Sequence, residues 1–262
     1  IHTLHSSIVG GRRHKLENVS NYSFIGGGNE NEISRSISSG IGSGQYNIIR
    51  GDLPGTGIDQ NGSFIGGGHI NTINASHYGF IGSGMSGSLK NSHYSFIGGG
   101  LNNSIISTED FNAILGGENN HIGSTLTDAF VIGSNISASM SNATFVENLV
   151  LPATKKLYLD GGGNTYIHET SADRVLITVG GTNLLDLYEG GGGANNYIAI
   201  RAASTFYLDG GGDTYFGETS ADNVKFTVGG AGVLHLTSTK ISGSSSSTGS
   251  FGRVEVEHIH ST

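Results

Sequence analysis

Asn21-Tyr-Ser-Phe-Ile-Gly-Gly-Gly-Asn-Glu-Asn-Glu-Ile33 decides the fold, because the chain repeats this stretch with small changes. Its anchor is Ile25, an aliphatic residue followed by glycine. The same slot returns at spacings of 16, 16, 24, 16, 16, 18 and 17 residues, at Val9, Ile25, Ile41, Ile65, Ile81, Ile97, Leu115 and Ile132. A nearly fixed period with occasional insertions indicates a solenoid, in which each repeat stacks on its neighbours.

The residues of one repeat alternate in character. The aromatic Tyr22 and Phe24 alternate with the small Ser23 and the anchor Ile25. This pattern predicts a short strand with apolar groups on both faces, so both faces are expected to be covered. Glycine then allows a turn, and a second aliphatic residue follows eight positions after the anchor. One coil is therefore predicted to be strand, glycine turn, second strand and polar turn.

The composition excludes several classes of protein. The 262 residues include 45 glycines and no cysteine, and only 13% are charged. A net charge of −8 argues against a nucleic-acid partner. No run of 18 apolar residues is present, so membrane insertion is not expected. An all-β protein with a parallel β-roll of 16-residue coils agrees with these features.

A longer repeat appears after Pro152, where the first pattern ends. Tyr158-Leu-Asp-Gly-Gly-Gly-Asn-Thr-Tyr166 returns after 49 residues as Tyr207-Leu-Asp-Gly-Gly-Gly-Asp-Thr-Tyr215. One copy has too few apolar residues to bury a core by itself, so its apolar surface is expected to meet another chain. We predict three segments: a β-roll at 1–150, a β-shaft at 151–237, and a Ser/Gly-rich segment with a terminal strand at 238–262.

These motifs resemble two families. The Ser-Phe-Ile-Gly-Gly-Gly coils are similar to the head repeats of YadA-type trimeric autotransporter adhesins, and the 49-residue repeat is similar to the shafts of bacteriophage tail fibres and tail spikes. Ile241-Ser-Gly followed by a Ser-rich run to Gly252 resembles the approach to an intramolecular chaperone at fibre C-termini. The resemblance implies a homotrimer with an interwoven β-shaft, whose partners are other tail proteins and a host cell-surface glycan or protein receptor.

The strongest candidate site is His258-Ile-His260 near the end of the sequence. On a strand, residues i and i+2 face the same side, so both imidazoles would project together. Three such pairs on a trimer axis would supply six nitrogens, enough for an octahedral ion such as iron. Two solvated histidines at a terminus are the alternative.

Acidic residues give weaker signals. Asp160 and Asp209, each followed by three glycines, superficially resemble calcium turns, but the sequence favours a glycine turn closed by an Asx hydrogen bond. The acids of the insertions lie far apart along the chain, which gives no pair for glycan cleavage: Asp52, Asp59, Glu109 and Asp110. We therefore predict no catalysis.

Three hypotheses follow from the sequence. The first is a structural, non-catalytic phage tail fibre in the virion that attaches to the host surface. The second is a trimeric autotransporter-type adhesin on the bacterial cell surface. The third is a polysaccharide-degrading tail spike, which would need a cleft with paired acids.

Overall fold

The fold is all-β throughout the described part of the chain. The structure, a computed structural model, describes residues 4–51, 60–152, 154–171, 173–190, 196–200, 205–210, 212–220, 222–238 and 241–243. Every regular element among them is a strand, as the sequence predicts. The chain divides into two compact units, Ile1–Leu149 and Val150–Thr262. The finer division at 237/238 stays a prediction.

The first unit is a parallel β-solenoid built from two sheets, as predicted. Each of the first seven coils adds one strand to each sheet, and strands of successive coils pair in parallel, for example Ile25 with Ile41. The nine-stranded sheet contains β1 (Ser7–Ile8), β3 (Phe24–Ile25), β6 (Gly40–Ile41), β9 (Phe64–Ile65), β11 (Phe80–Ile81), β13 (Phe96–Ile97), β15 (Ala113–Ile114), β17 (Ala129–Ile132) and β18 (Ala143–Val146). The seven-stranded sheet contains β2 (Lys15–Glu17), β4 (Glu32–Ser34), β7 (Ile48–Arg50), β10 (Thr72–Asn74), β12 (Ser88–Lys90), β14 (Ser104–Ile106) and β16 (His121–Ile122). β5 (Ser36–Ile37) and β8 (Gln60–Asn61) form a separate pair.

Two columns of aliphatic side chains form the solenoid core. Each sheet contributes one inward residue per coil, because the parallel register places equivalent residues beside one another. The columns meet in one cluster in which Ile25, Ile33, Ile41, Ile49, Ile65, Ile73, Ile81, Leu89, Ile97, Ile105, Ile114 and Ile122 are fully buried. At about 1.5–3 kcal/mol for each buried side chain, these columns are the main source of stability in this unit.

Three of the predicted anchors are wrong by one residue. Ile114, not Leu115, pairs with Ile97 and is fully buried, whereas Leu115 is 52% exposed. In the same way the inward residues are Ile8 instead of Val9 and Val131 instead of Ile132. Leu115 occupies the position of the first glycine in the other coils, so the rule "aliphatic before glycine" selected it. The corrected spacings are 17, 16, 24, 16, 16, 17 and 17 residues.

The second unit contains two antiparallel meanders that follow the 49-residue repeat. The first sheet has β19 (Lys156–Tyr158), β20 (Tyr166–Ser171), β21 (Arg174–Val179), β22 (Thr182–Tyr188) and β23 (Tyr197–Ile200). The second has β24 (Thr205–Tyr207), β25 (Tyr215–Ser220), β26 (Asn223–Val228), β27 (Ala231–Thr237) and β28 (Ile241–Gly243). Equivalent residues pair in both sheets: Tyr166 with Thr178, and Tyr215 with Thr227.

The two meanders differ at one buried threonine. The Thr178 hydroxyl donates to Asn183 Oδ1 at 2.7 Å. In the second copy Gly232 occupies the place of Asn183, and the buried Thr227 Oγ1 has no hydrogen-bond partner within the described chain.

This difference predicts opposite responses to the same substitution. We expect Thr178→Val to lower the free energy of unfolding by about 0.5–1.5 kcal/mol, because it removes the hydrogen bond of a buried hydroxyl, while water can reach the exposed Asn183. Thr227→Val should change it by less than about 0.5 kcal/mol or raise it, because it removes an unpaired hydroxyl. Urea denaturation followed by circular dichroism measures both variants. A larger loss for Thr227→Val would contradict the expectation.

Candidate functional site

The predicted iron site lies outside the described residues. His258 and His260 both fall in the part of the chain after residue 243, so their metal site stays a prediction. Within the described ranges, no group of three or more His, Cys, Asp or Glu side chains could hold a metal ion. Of the loop acids, Asp52 and Asp59 also lie outside the described residues.

The glycine turns of the 49-residue repeat are closed by Asx hydrogen bonds, as predicted. The backbone N–H of Gly163 donates to Asp160 Oδ1 at 3.0 Å, and that of Gly212 donates to Asp209 Oδ1 at 3.0 Å. Desolvation opposes ionisation of Asp160, but hydrogen bonds from Thr165 and the turn backbone outweigh it and hold its pKa below the usual value. These carboxylates therefore act as turn-closing acceptors.

The solenoid carries an aromatic face. We use this name for the outward rings of the nine-stranded sheet and of the turn before each of its strands: Tyr22, Phe24, Phe64, Tyr78, Phe80, Tyr94, Phe96, Phe111 and Phe130. They form two columns, because the outward positions of each coil lie beside those of the next coil. Ring centroids are 5.1 Å apart for Tyr78 and Tyr94, and 5.3 Å apart for Phe80 and Phe96.

The described part of the chain leaves the rings of this face uncovered. All except Phe64 belong to the exposed large apolar side chains of the protein. The sequence predicts that both strand faces are covered; among the described residues only the inner face is. The rings follow one another without a break from Phe24 to Phe96 and from Tyr78 to Phe111, and exposed apolar surface of this kind is characteristic of interaction sites.

A shallow groove in the second unit is a further surface feature. Its volume is about 530 Å³, and its lining includes Asp173 and Glu189 beside Val175 and Tyr197. Both carboxylates are exposed at the end of the sheet. The general acid of a glycosidase is instead held in a site shielded from water.

Sequence reasoning missed an ion pair in the first meander. Arg174 donates two hydrogen bonds to Asp186, from Nε to Oδ1 at 3.0 Å and from Nη2 to Oδ2 at 2.6 Å. These bonds and the positive charge hold the pKa of Asp186 below its usual value, against partial desolvation. The equivalent residues of the second copy, Asn223 and His235, carry no such pair.

This ion pair predicts that the stability of the folded protein depends on pH in the acidic range. The pKa of Asp186 is lower in the folded protein than in the unfolded chain, where it is about 3.9. The ion pair therefore adds to the free energy of unfolding above about pH 3.9, and this stabilisation is lost as the pH falls through the lower pKa of the folded state. We expect the melting temperature of the native protein to fall more steeply below pH 4 than that of Asp186→Asn. Parallel acid profiles for the native protein and Asp186→Asn would contradict this.

The geometry places the protein in the class of parallel β-solenoid repeat proteins. A comparison with protein-family models finds no family that matches the chain, and a comparison with curated proteins finds no match either. Among the described residues, none forms a helix long and apolar enough to cross a membrane.

Proposed function

We propose that this protein is a structural, non-catalytic fibre that works as a homotrimer, and that it is a phage tail fibre involved in attachment to the host surface. The observation that carries the proposal is the near absence of a core in the second unit. Of its described residues, four are buried: Leu176, Thr178, Gly190 and Thr227. Two five-stranded sheets with one large buried apolar residue need cover from other chains.

The exposed residues of the meanders support the same inference. They include large apolar side chains such as Leu208, which is 60% exposed, and Ile241, which is 77% exposed. If three copies wind around each other, each apolar strand face is buried against its neighbours. The number three rests on the resemblance of both repeats to trimeric families. The proposed location is the tail of the virion, with other tail proteins at one end.

The solenoid suits the role of a spacer and a display surface. Coils contact only the coils before and after them, so length is added without changing the core. The 24-residue spacing between Ile41 and Ile65 holds an insertion after Arg50. Insertions between coils form surface loops, and surface loops of repeat proteins often carry the binding residues. We propose that such loops contact a host glycan or protein.

The native mass of the purified chain tests the fibre proposal. Light scattering on a sizing column should give about three times the chain mass of 27.1 kDa. A monomer would contradict the shared-core fibre. Binding of the fluorescent protein to host cells, compared before and after periodate oxidation of the surface, then distinguishes a glycan receptor from a protein receptor.

A further inference from the structure

We infer that the solenoids of neighbouring copies pack against one another through the aromatic face. This inference rests on the proposed homotrimer and identifies the surface of the first unit that another copy covers. It is carried by three properties of that face: its lack of charge, the stacking of its rings and its area.

The aromatic face is separated from the charged surfaces of the solenoid. The segments that form it contain no Asp, Glu, Lys or Arg over six successive coils, at residues 20–28, 37–44, 62–68, 77–84, 93–100 and 111–117; in the next coil the half-buried Asp128 takes the place of Phe111. Many of the charged residues lie on the seven-stranded sheet and at its corners, where Arg50 pairs with Glu32 at 2.8 Å and Arg13 pairs with Glu30 at 3.1 Å. A charge-free strip can be desolvated by another copy of itself without burying an unpaired charge.

The stacking of the rings favours a protein over a sugar as the partner. The planes of Phe80 and Phe96 differ by 4°, and those of Tyr94 and Phe111 by 15°. With centroids 5.3 Å and 5.2 Å apart, these near-parallel rings are offset-stacked, so each ring covers part of the flat face of its neighbour. A sugar stacks on the flat face of an aromatic ring, and in these columns part of that face is already occupied. The exposed edges are apolar and fit an apolar surface of the same kind, which the same face of another copy supplies.

The exposed area is sufficient for a subunit contact. Eight of the rings are between 36% and 61% exposed. With about 150–250 Å² for each aromatic side chain, they present roughly 700 Å² of aromatic surface, of which the six exposed rings of the two unbroken columns present roughly 500 Å². The total approaches the roughly 800 Å² that each partner buries in a standard interface.

Spin labels on the full-length chain test the inference directly. The sequence has no cysteine, so one introduced cysteine gives one label per copy. Ser83→Cys places the label just after strand β11 of the aromatic face and keeps every ring; Lys90→Cys places it on the seven-stranded sheet of the same coil. Pulsed electron resonance between copies should give clearly shorter distances for Ser83→Cys than for Lys90→Cys.

A pair of glutamate variants adds an independent readout. Phe96 on the aromatic face and Ile106 on the seven-stranded sheet are both 39% exposed. In the Ser83→Cys background, Phe96→Glu should shift the distances between labels upward, and Ile106→Glu should leave them unchanged. Circular dichroism on both variants confirms that the solenoid is intact.

The outcomes separate this inference from the proposed function. A trimer mass with equal distances for the two labels, or with shorter distances for Lys90→Cys, overturns the packing through the aromatic face and leaves the fibre standing. In that case a receptor or another tail protein covers the face. A monomer overturns both.

Discussion

Asn71→Ala is expected to lower the free energy of unfolding by about 3–5 kcal/mol, because the Asn71 side chain serves several buried backbone groups. Asn71 is fully buried at the corner between the two sheets. Its Nδ2 donates to the carbonyl oxygens of Gly67 at 2.9 Å and Gly84 at 3.0 Å, and its Oδ1 accepts the N–H of Gly87 at 2.9 Å. Alanine would leave the buried Gly67 carbonyl oxygen and the buried Gly87 N–H without these partners, whereas the Gly84 carbonyl oxygen keeps the N–H of His69 at 2.9 Å.

Asn71 belongs to a ladder that explains why asparagine recurs before the second strand. In the neighbouring coil, Asn47 Oδ1 accepts from the backbone N–H and the side-chain Nδ2 of Asn71, both at 3.1 Å. Each rung therefore satisfies backbone groups that the turn would otherwise leave unpaired. The equivalent residues are Asn31, Asn47, Asn71, Asn103 and Asn120.

Asn29→Ala is the matched control for this prediction. Asn29 lies at a partly exposed position of an earlier turn, and its Oδ1 accepts from Arg12 at 3.2 Å. Loss of that bond should cost less than about 1 kcal/mol, because water can replace it. Urea denaturation followed by circular dichroism compares the two variants. Equal losses of unfolding free energy would contradict the expectation. They would mean that water, and not the asparagine ladder, pairs with the backbone groups of the turn.

The regular part of the fold could be predicted because each coil repeats the same local rule. Ile25, Ile33 and their equivalents recur at nearly regular spacing, each with a small or polar residue two positions before it, and this pattern predicts which side chains are buried. The ends of the solenoid were less predictable. Leu115 satisfies the sequence rule as well as Ile114 does, and only the pairing with Ile97 and Val131 decides between them.

The left-handed backbone conformation at the corners of the coils could not be predicted from the sequence either. Tyr78, Tyr94 and Phe111 adopt left-handed φ values of 52°, 50° and 62°, although bulky residues rarely do so. The strain costs about 1–2 kcal/mol per residue. Stacking between rings of successive coils offsets part of that cost, and it becomes visible only once the coils are placed in register.

The ion pair of the second unit likewise depends on the register in which the strands pair. Arg174 and Asp186 are twelve residues apart, and no local pattern links them. They meet because Leu176 pairs with Asp186 in the antiparallel sheet, which brings Arg174 within reach along the same face.

The other large effect is expected at Gly28, where alanine should lower the free energy of unfolding by about 3 kcal/mol or more. Gly28 has a φ of +103°, a conformation that strains any residue with a Cβ. A Cβ there would also lie 2.8 Å from the backbone nitrogen of Gly44 and collide with its carbonyl oxygen, in the next coil. Relief requires a shift of one coil against the other, which disturbs the hydrogen bond from Asn29 N–H to the Gly44 carbonyl oxygen at 2.9 Å.

The neighbouring residue gives a control within the same turn. Gly27 has an ordinary φ, and nothing lies within 4 Å of the place that its Cβ would take. Gly27→Ala should therefore change the free energy of unfolding by less than about 1 kcal/mol. Alanine also lowers the conformational entropy of the unfolded chain, which favours the folded state. Urea denaturation measures the global free energy of unfolding of both variants. Hydrogen exchange of the turn amides, followed by mass spectrometry, measures the local opening of the turn. Similar protection in the two variants would mean that the turns have room for a side chain and that close contact between coils does not explain the glycine repeat.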